Sequence, residues 1–276
     1  MLIEASGLLP FYIDQEENIE IDGMLLSGFC MAVNNVSREL SDYIDVILMK
    51  NNYKILFDEF EHKSGSKFLM AVICDKFHCN QAVKQKMNYI FDRFFKDYDF
   101  PMNSTIEDED LEREVISIIN DENLKEIVSK NSLLISKTLG PIIDNQENEI
   151  YAYALTSSTN NILIMDGNNK ILQCRPDTDL EAVIKEYLAV WDIKSVPHGD
   201  IFQGLELSEG LDFIDFCETN SKMLGLGINT SINSKLEPQN EVLLYLFGKN
   251  MLMRQILSID GKPVEEILRE MIFEGI

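Results

Sequence analysis

"YKILFDEFEHKSGSKFLMAVICD", residues 53 to 75, holds two apolar runs separated by a Ser-Gly-Ser turn. Aromatic and β-branched residues fill both runs and the turn supplies the reversal, so the stretch predicts an antiparallel hairpin. Immediately upstream, "YIDVILMKN" is a third run of the same character, split from Tyr53 by Asn51-Asn52. The three together predict a meander. Downstream, "NQAVKQKMNYIFDRFFKDY", residues 80 to 98, changes to the helical period, with Val83, Met87, Ile90, Phe91, Phe94 and Phe95 on one side and Asn80 as the expected cap.

Toward the N-terminus, "LIEASGLLPFYID" predicts two short strands, Leu2 to Glu4 and Leu9 to Ile13, around Ser6-Gly7. "DGMLLSGFCMAVNNVSREL", residues 22 to 40, then predicts a helix capped by Asp22. At about 100° per residue, Leu25, Phe29, Ala32, Val33, Val36 and Leu40 share a face that is expected to pack on the sheet. Met24, Ser27, Met31, Asn34 and Arg38 gather on the opposite face. That face lacks the Lys/Glu surface of a solvated helix, and thioethers among small polar groups suit contact with an irregular partner. These five residues are the candidate partner-binding site, whose occupant is either another part of the chain or a separate protein. Gly28 in mid-helix predicts a close approach of something to that helix. Residues 1 to 100 therefore predict strand, strand, helix, three strands, helix: an α+β unit on one antiparallel sheet.

Two more helical patterns, "EDLEREVISIIND" and "ENLKEIVSKNSLLISKTLG", lead to an expected stop at Gly140-Pro141, and "IIDNQENE" reads as a linker. This sets a first domain at 1–140 and a second α+β domain at 141–276. In the second, "EIYAYALTS" and "NILIMDGNNKILQCR", with a turn at Asp166-Gly167-Asn168, predict strands, a helix starts near Asp177, and "LDFIDFCET", "KMLGLGINT" and "EVLLYLFGKNMLMRQILSI" follow as further strand patterns. A last helix is expected from Pro263. The two halves share a pattern of elements without sharing residues.

Lys and Arg total 24 against 47 Asp and Glu, a formal charge of -23. Such a surface repels phosphate backbones and anionic headgroups, which argues against nucleic acid and against electrostatic membrane binding. Five scattered cysteines suggest a reducing compartment, "MLIEASGLLPFYID" lacks a basic leader, and no apolar run reaches the length of a membrane span. A cytoplasmic protein with no direct membrane insertion is expected.

Catalytic signals are thin. Cys74, His78 and Cys79 crowd together in "CDKFHCN" but lack a fourth ligand at zinc spacing, so no metal site is expected. His62 reads as a solvent-exposed turn residue, and His198 in "SVPHGD" sits in a Pro/Gly loop that could present a base, without a nucleophile motif beside it. Gly225 and Gly227 in "LGLGIN" are flanked by apolar residues and mark a strand bulge or a close backbone crossing, not a dinucleotide fingerprint or a P-loop. No cofactor is expected.

Three segments together resemble the longin and roadblock superfamily: "SGLLPFYID" as the opening hairpin, "LLSGFCMAVNNVSREL" as the first helix, and residues 53 to 98 as the later strands and aromatic-rich second helix. The resemblance covers residues 1 to about 100, and the second half shares only the element order. It implies two longin/roadblock-like domains, each an antiparallel sheet packed with helices. It also implies a non-enzymatic scaffold of trafficking-like pathways that works through surfaces. The partner so implied is a small GTPase, with nucleotide exchange a possible activity, or another longin/roadblock protein in a homo- or hetero-oligomer. Two other readings remain open on the residues alone: an enzyme using the His198 loop with acidic neighbours, and a purely structural subunit of a larger complex.

Overall fold

The computed structural model describes residues 1–4, 7–13, 22–39, 44–50, 53–100, 105–144, 150–167 and 179–190, and the strand segments 205–206, 221–229, 241–249, 258–259 and 262–263. It is a mixed α and β protein whose chain divides into two compact units. One comprises Met1–Lys76 and Ala82–Ile119, the other Phe77–Gln81 and Asn120–Ile276.

In the first unit the elements are β1 (Leu2–Glu4), α1 (Gly23–Glu39), β2 (Val46–Leu48), β3 (Tyr53–Glu61), β4 (Lys67–Asp75), α2 (Asn80–Ile90, whose first two residues belong to the second unit) and α3 (Glu109–Ile119). The strands form one antiparallel sheet in the order β1-β4-β3-β2. The hairpin of residues 53 to 75 appears in register from Tyr53↔Asp75 to Glu61↔Lys67. The second opening strand contracts to one bridge, Leu2↔Phe11, because Pro10 has no N–H to give a ladder. Gly7, at φ +88°, supplies the left-handed residue that the preceding turn requires.

Alternation along the strands builds two cores. Leu56, Phe68 and Met70 face Val83, Met87, Ile90, Phe91, Leu111 and Val115 of the α2/α3 side. Ile3, Ile55, Phe57, Leu69 and Ala71 face α1. The long helix expected over 80–98 is α-helical to Ile90 and then winds as a π-turn over Phe91–Phe95, with Lys96 N–H donating to Phe91 O at 2.9 Å. The wider turn brings Phe91 and Phe95 into the same core, where both are buried.

The second unit holds α4 (Glu122–Asp144), β5 (Ile150–Ser157), β6 (Ile162–Gly167), α5 (Leu180–Val190), β7 (Leu205–Glu206), β8 (Ser221–Asn229), β9 (Glu241–Lys249) and a small pair, β10 (Ser258–Ile259) with β11 (Lys262–Pro263). The larger sheet runs β6-β5-β9-β8-β7, all antiparallel. Its wiring matches the first unit: two opening strands, a helix, then a meander whose last strand pairs with the first. β5 and β9 take the places of β1 and β4, and α5 takes the place of α1.

Three expectations change here. The helical stop at Gly140-Pro141 does not occur, since α4 runs on to Asp144 with Pro141 exposed on its outer side. There a missing N–H costs little, while Leu139 and Ile143 continue the buried stripe. The units divide between Ile119 and Asn120, ahead of the 140/141 boundary, because the Leu124, Val128, Ile135 and Leu139 stripe of α4 packs with β5 and β6. Pro263 lies in β11 instead of opening a helix. The expected strand "LDFIDFCET" lies outside the described residues.

Candidate functional site

Helix α1 starts where the sequence says it should. Asp22 Oδ1 accepts from the backbone N–H of Met24 at 2.9 Å and of Leu25 at 3.3 Å. Its orientation is the reverse of the one expected from hydrophobicity. The residues buried against the sheet are Ser27, Cys30, Asn34 and Ser37, with Leu26 and Met31 partly buried beside them.

Each small polar residue has an internal task. Ser27 Oγ donates to Gly7 O at 3.3 Å and ties the helix to the turn after β1. Asn34 Nδ2 donates to Glu59 Oε1 at 2.9 Å, and Arg38 Nη2 donates to the same oxygen in an ion pair. Ser37 Oγ donates to Asn34 O at 2.8 Å. Partial burial raises the Glu59 pKa, but the Asn34 and Arg38 bonds, with help from Lys67, outweigh it and hold the carboxyl below the usual range. A charge at the α1 side of β3 thus selects the polar edge of the helix as its docking face.

The candidate partner face therefore comes apart. Ser27 and Asn34 are buried and serve the fold, Met31 is packed in the small core, Arg38 is engaged by Glu59, and Met24 alone of the five is an exposed apolar side chain. Of the face assigned to the sheet, Leu25, Phe29, Ala32 and Val36 point outward and Val33 is half-buried. Leu25 is 75% exposed, Val36 56% and Phe29 46%. Ala32 is exposed between them, and the space at Gly28 is open, with nothing beyond its chain neighbours and its own helix backbone within 4 Å of where a Cβ would stand. The close approach expected at Gly28 is absent within the described chain.

The topologically matching helix behaves in the ordinary way: α5 buries Val183, Ile184 and Leu188. Helix α1 also carries no charged residue from Gly23 to Ser37, in a chain of charge -23. An uncharged row of apolar side chains at spacings of four, three and four is what a helix presents to another protein surface.

A second polar cluster lies in the second unit, at the β5–β6 turn. Thr159 Oγ1 and Asn161 Nδ2 both donate to Asp121 Oδ2, at 3.0 and 2.6 Å, and Asn160 Nδ2 donates to Phe77 O at 2.8 Å. His78 Nδ1 donates to Thr159 O at 2.7 Å. Asp121 and Asn160 adopt left-handed φ of 54° and 68°. The bonds close on backbone and turn atoms, so this is a buried corner of the fold, not an open site.

His62, expected in solvent, is buried, with Nε2 donating to Tyr98 O at 3.0 Å and Nδ1 against Ser64 Oγ at 2.7 Å. It joins the β3–β4 turn to the segment after the π-turn. Burial pushes the Cys74 thiol up to about 12 and that of Cys30 up to about 11, which makes both poor ligands and poor nucleophiles. Among the described residues, no group of three or more His, Cys, Asp or Glu side chains is placed to hold a metal, and no helix is long and apolar enough to cross a membrane. His198 lies outside the described residues. No protein-family model matches the chain, and no curated protein matches it.

Proposed function

We propose that the chain is a non-enzymatic interaction module of longin/roadblock type that engages a protein partner through the outer face of α1, with a small GTPase as the partner class. The observation that carries this reading is the exposed row Leu25, Phe29, Ala32 and Val36, on a helix that docks by its polar edge. The shared wiring of the two sheets supports it, since a repeated unit of two strands, helix and three-strand meander is the arrangement implied by the resemblance of residues 1 to 100. The charge of -23 adds that a basic rim on the partner would speed association.

The test is binding of the full chain to a panel of purified small GTPases in GDP-bound, GTP-analogue-bound and nucleotide-free forms, with release of a fluorescent GDP followed in parallel. Expected is binding to at least one member that weakens by about tenfold or more in the Leu25→Glu/Phe29→Glu variant. Absence of binding across the panel, or binding indifferent to the variant, sinks the assignment.

A further inference from the structure

Helix α4 departs from the acid excess of the chain, since residues 127–143 hold two lysines and no acid. From its outer side we infer that Lys130, Leu133, Leu134 and Lys137 form a docking strip for an acidic amphipathic helix of a partner protein. The helix packs inward through Leu124, Val128, Ile135 and Leu139, all buried. At about 100° per residue, Lys130 and Lys137 fall on the opposite side, with Leu133 and Leu134 one to each flank of the line between them. Leu133 is 69% and Leu134 49% exposed, so the strip has an apolar centre. Two polar side chains beside it turn onto the helix's own backbone: Asn131 Nδ2 donates to Ile127 O and Thr138 Oγ1 to Leu134 O, both at 3.0 Å. Lys130 Nζ meets Glu126 Oε1 at 2.7 Å, an exposed pair that a second carboxylate joins at little cost.

Charge complementarity selects the occupant. Lys130 and Lys137 stand about two helical turns apart, roughly 10 Å at a rise of about 1.5 Å per residue. Carboxylates seven residues apart on a partner helix repeat at the same distance, and apolar residues between them meet Leu133 and Leu134. An anionic lipid surface offers negative charge too, but it is extended and meets the whole charge of -23. A single helix lying along the strip stays within the Debye length of about 8 Å from the two lysines. Two leucines make a small apolar centre, below the area of a stable interface, which sets a transient contact with a dissociation constant on the order of 100 µM. The strip and the α1 row lie on different helices, and neither reading depends on the other.

The probe is a synthetic alanine-based helical peptide with two glutamates seven residues apart and two leucines midway between them, labelled with fluorescein and titrated with the full chain. Expected is saturable binding that falls as NaCl is raised and that weakens about fivefold or more in the Lys130→Glu/Lys137→Glu variant. Weakening is also expected in Leu133→Ser/Leu134→Ser, which leaves the charge unchanged. All four positions are on the outer side of α4, so unchanged far-UV circular dichroism in either variant keeps loss of binding apart from loss of fold. The same peptide with lysines in place of its glutamates is expected not to bind. No binding of the glutamate peptide, equal binding of the lysine peptide, or binding indifferent to both variants overturns the inference. Vesicles of phosphatidylcholine and phosphatidylserine, mixed about two to one, form a second arm. Co-sedimentation of the wild type with them, lost in the Lys130→Glu/Lys137→Glu variant, overturns the protein partner in favour of a lipid surface.

Discussion

Glu59 decides how α1 lies. A carboxylate on the inner side of β3, a few ångströms from the helix, needs donors, and the Asn34 and Arg38 pair supplies them where Leu25 or Phe29 could not. Because its folded pKa lies below the unfolded glutamate value, the stability that Glu59 contributes is full above the unfolded pKa and is lost as pH falls through the folded one. Glu59→Gln is therefore expected to lower stability by about 0.5–1.5 kcal/mol at neutral pH, with the difference from wild type shrinking toward pH 3. Urea unfolding at both pH values measures this, and a difference that grows in acid contradicts it. Legibility was poor at this scale. The spacing of Asn34 and Arg38 on one face is plain in the sequence, but that Glu59 stands opposite them depends on a strand contributed from more than twenty residues away.

On a helix with an apolar face and a face of small polar residues, hydrophobic periodicity locates the helix but does not by itself orient it. Both edges of α1 repeat with the same period, so the positions were legible while the docking face was not. The structure predicts an inverted mutational pattern. Leu25→Glu, on the outside, is expected to change stability by no more than about 0.5 kcal/mol in the monomeric state. Ser27→Leu, on the buried face, is expected to cost about 1–3 kcal/mol by overpacking and by loss of the bond to Gly7 O. Chemical denaturation of both variants at low concentration distinguishes the orientations, and the opposite ranking would show Leu25 in a core. Other elements were read more directly. Strands β3 and β4 fall at the predicted positions because aromatic and β-branched runs flank an unambiguous turn. Helix α4 outran its predicted stop because the packing of Leu139 and Ile143 outweighs a proline on the exposed side.

For the molecule as a whole, the excess of acid opposes the compact state by self-repulsion, while ion pairs such as Lys96–Asp92 and Lys130–Glu126 are exposed and contribute little. Raising NaCl from about 10 mM to about 150 mM, which shortens the Debye length from about 30 Å to about 8 Å, is expected to raise the melting temperature by a few degrees. Measuring it in the Leu25→Glu/Phe29→Glu background separates this from any gain through association. A melting temperature that falls with salt would mean that local pairs outweigh the repulsion.

What the sequence determined by itself is most of the succession of the described elements, the mixed α and β class and the acidic charge of the chain, since these follow from local period, turn chemistry and composition. Tertiary structure decided that β4 and β9 return to pair with the opening strands, that α4 belongs with the second unit, and that α1 turns its apolar row outward. Those outcomes depend on which side chains meet across long stretches of chain. A half-buried carboxylate in need of donors, and a proline or glycine with room on its outer side, acquire their meaning only from neighbours that the linear order does not place.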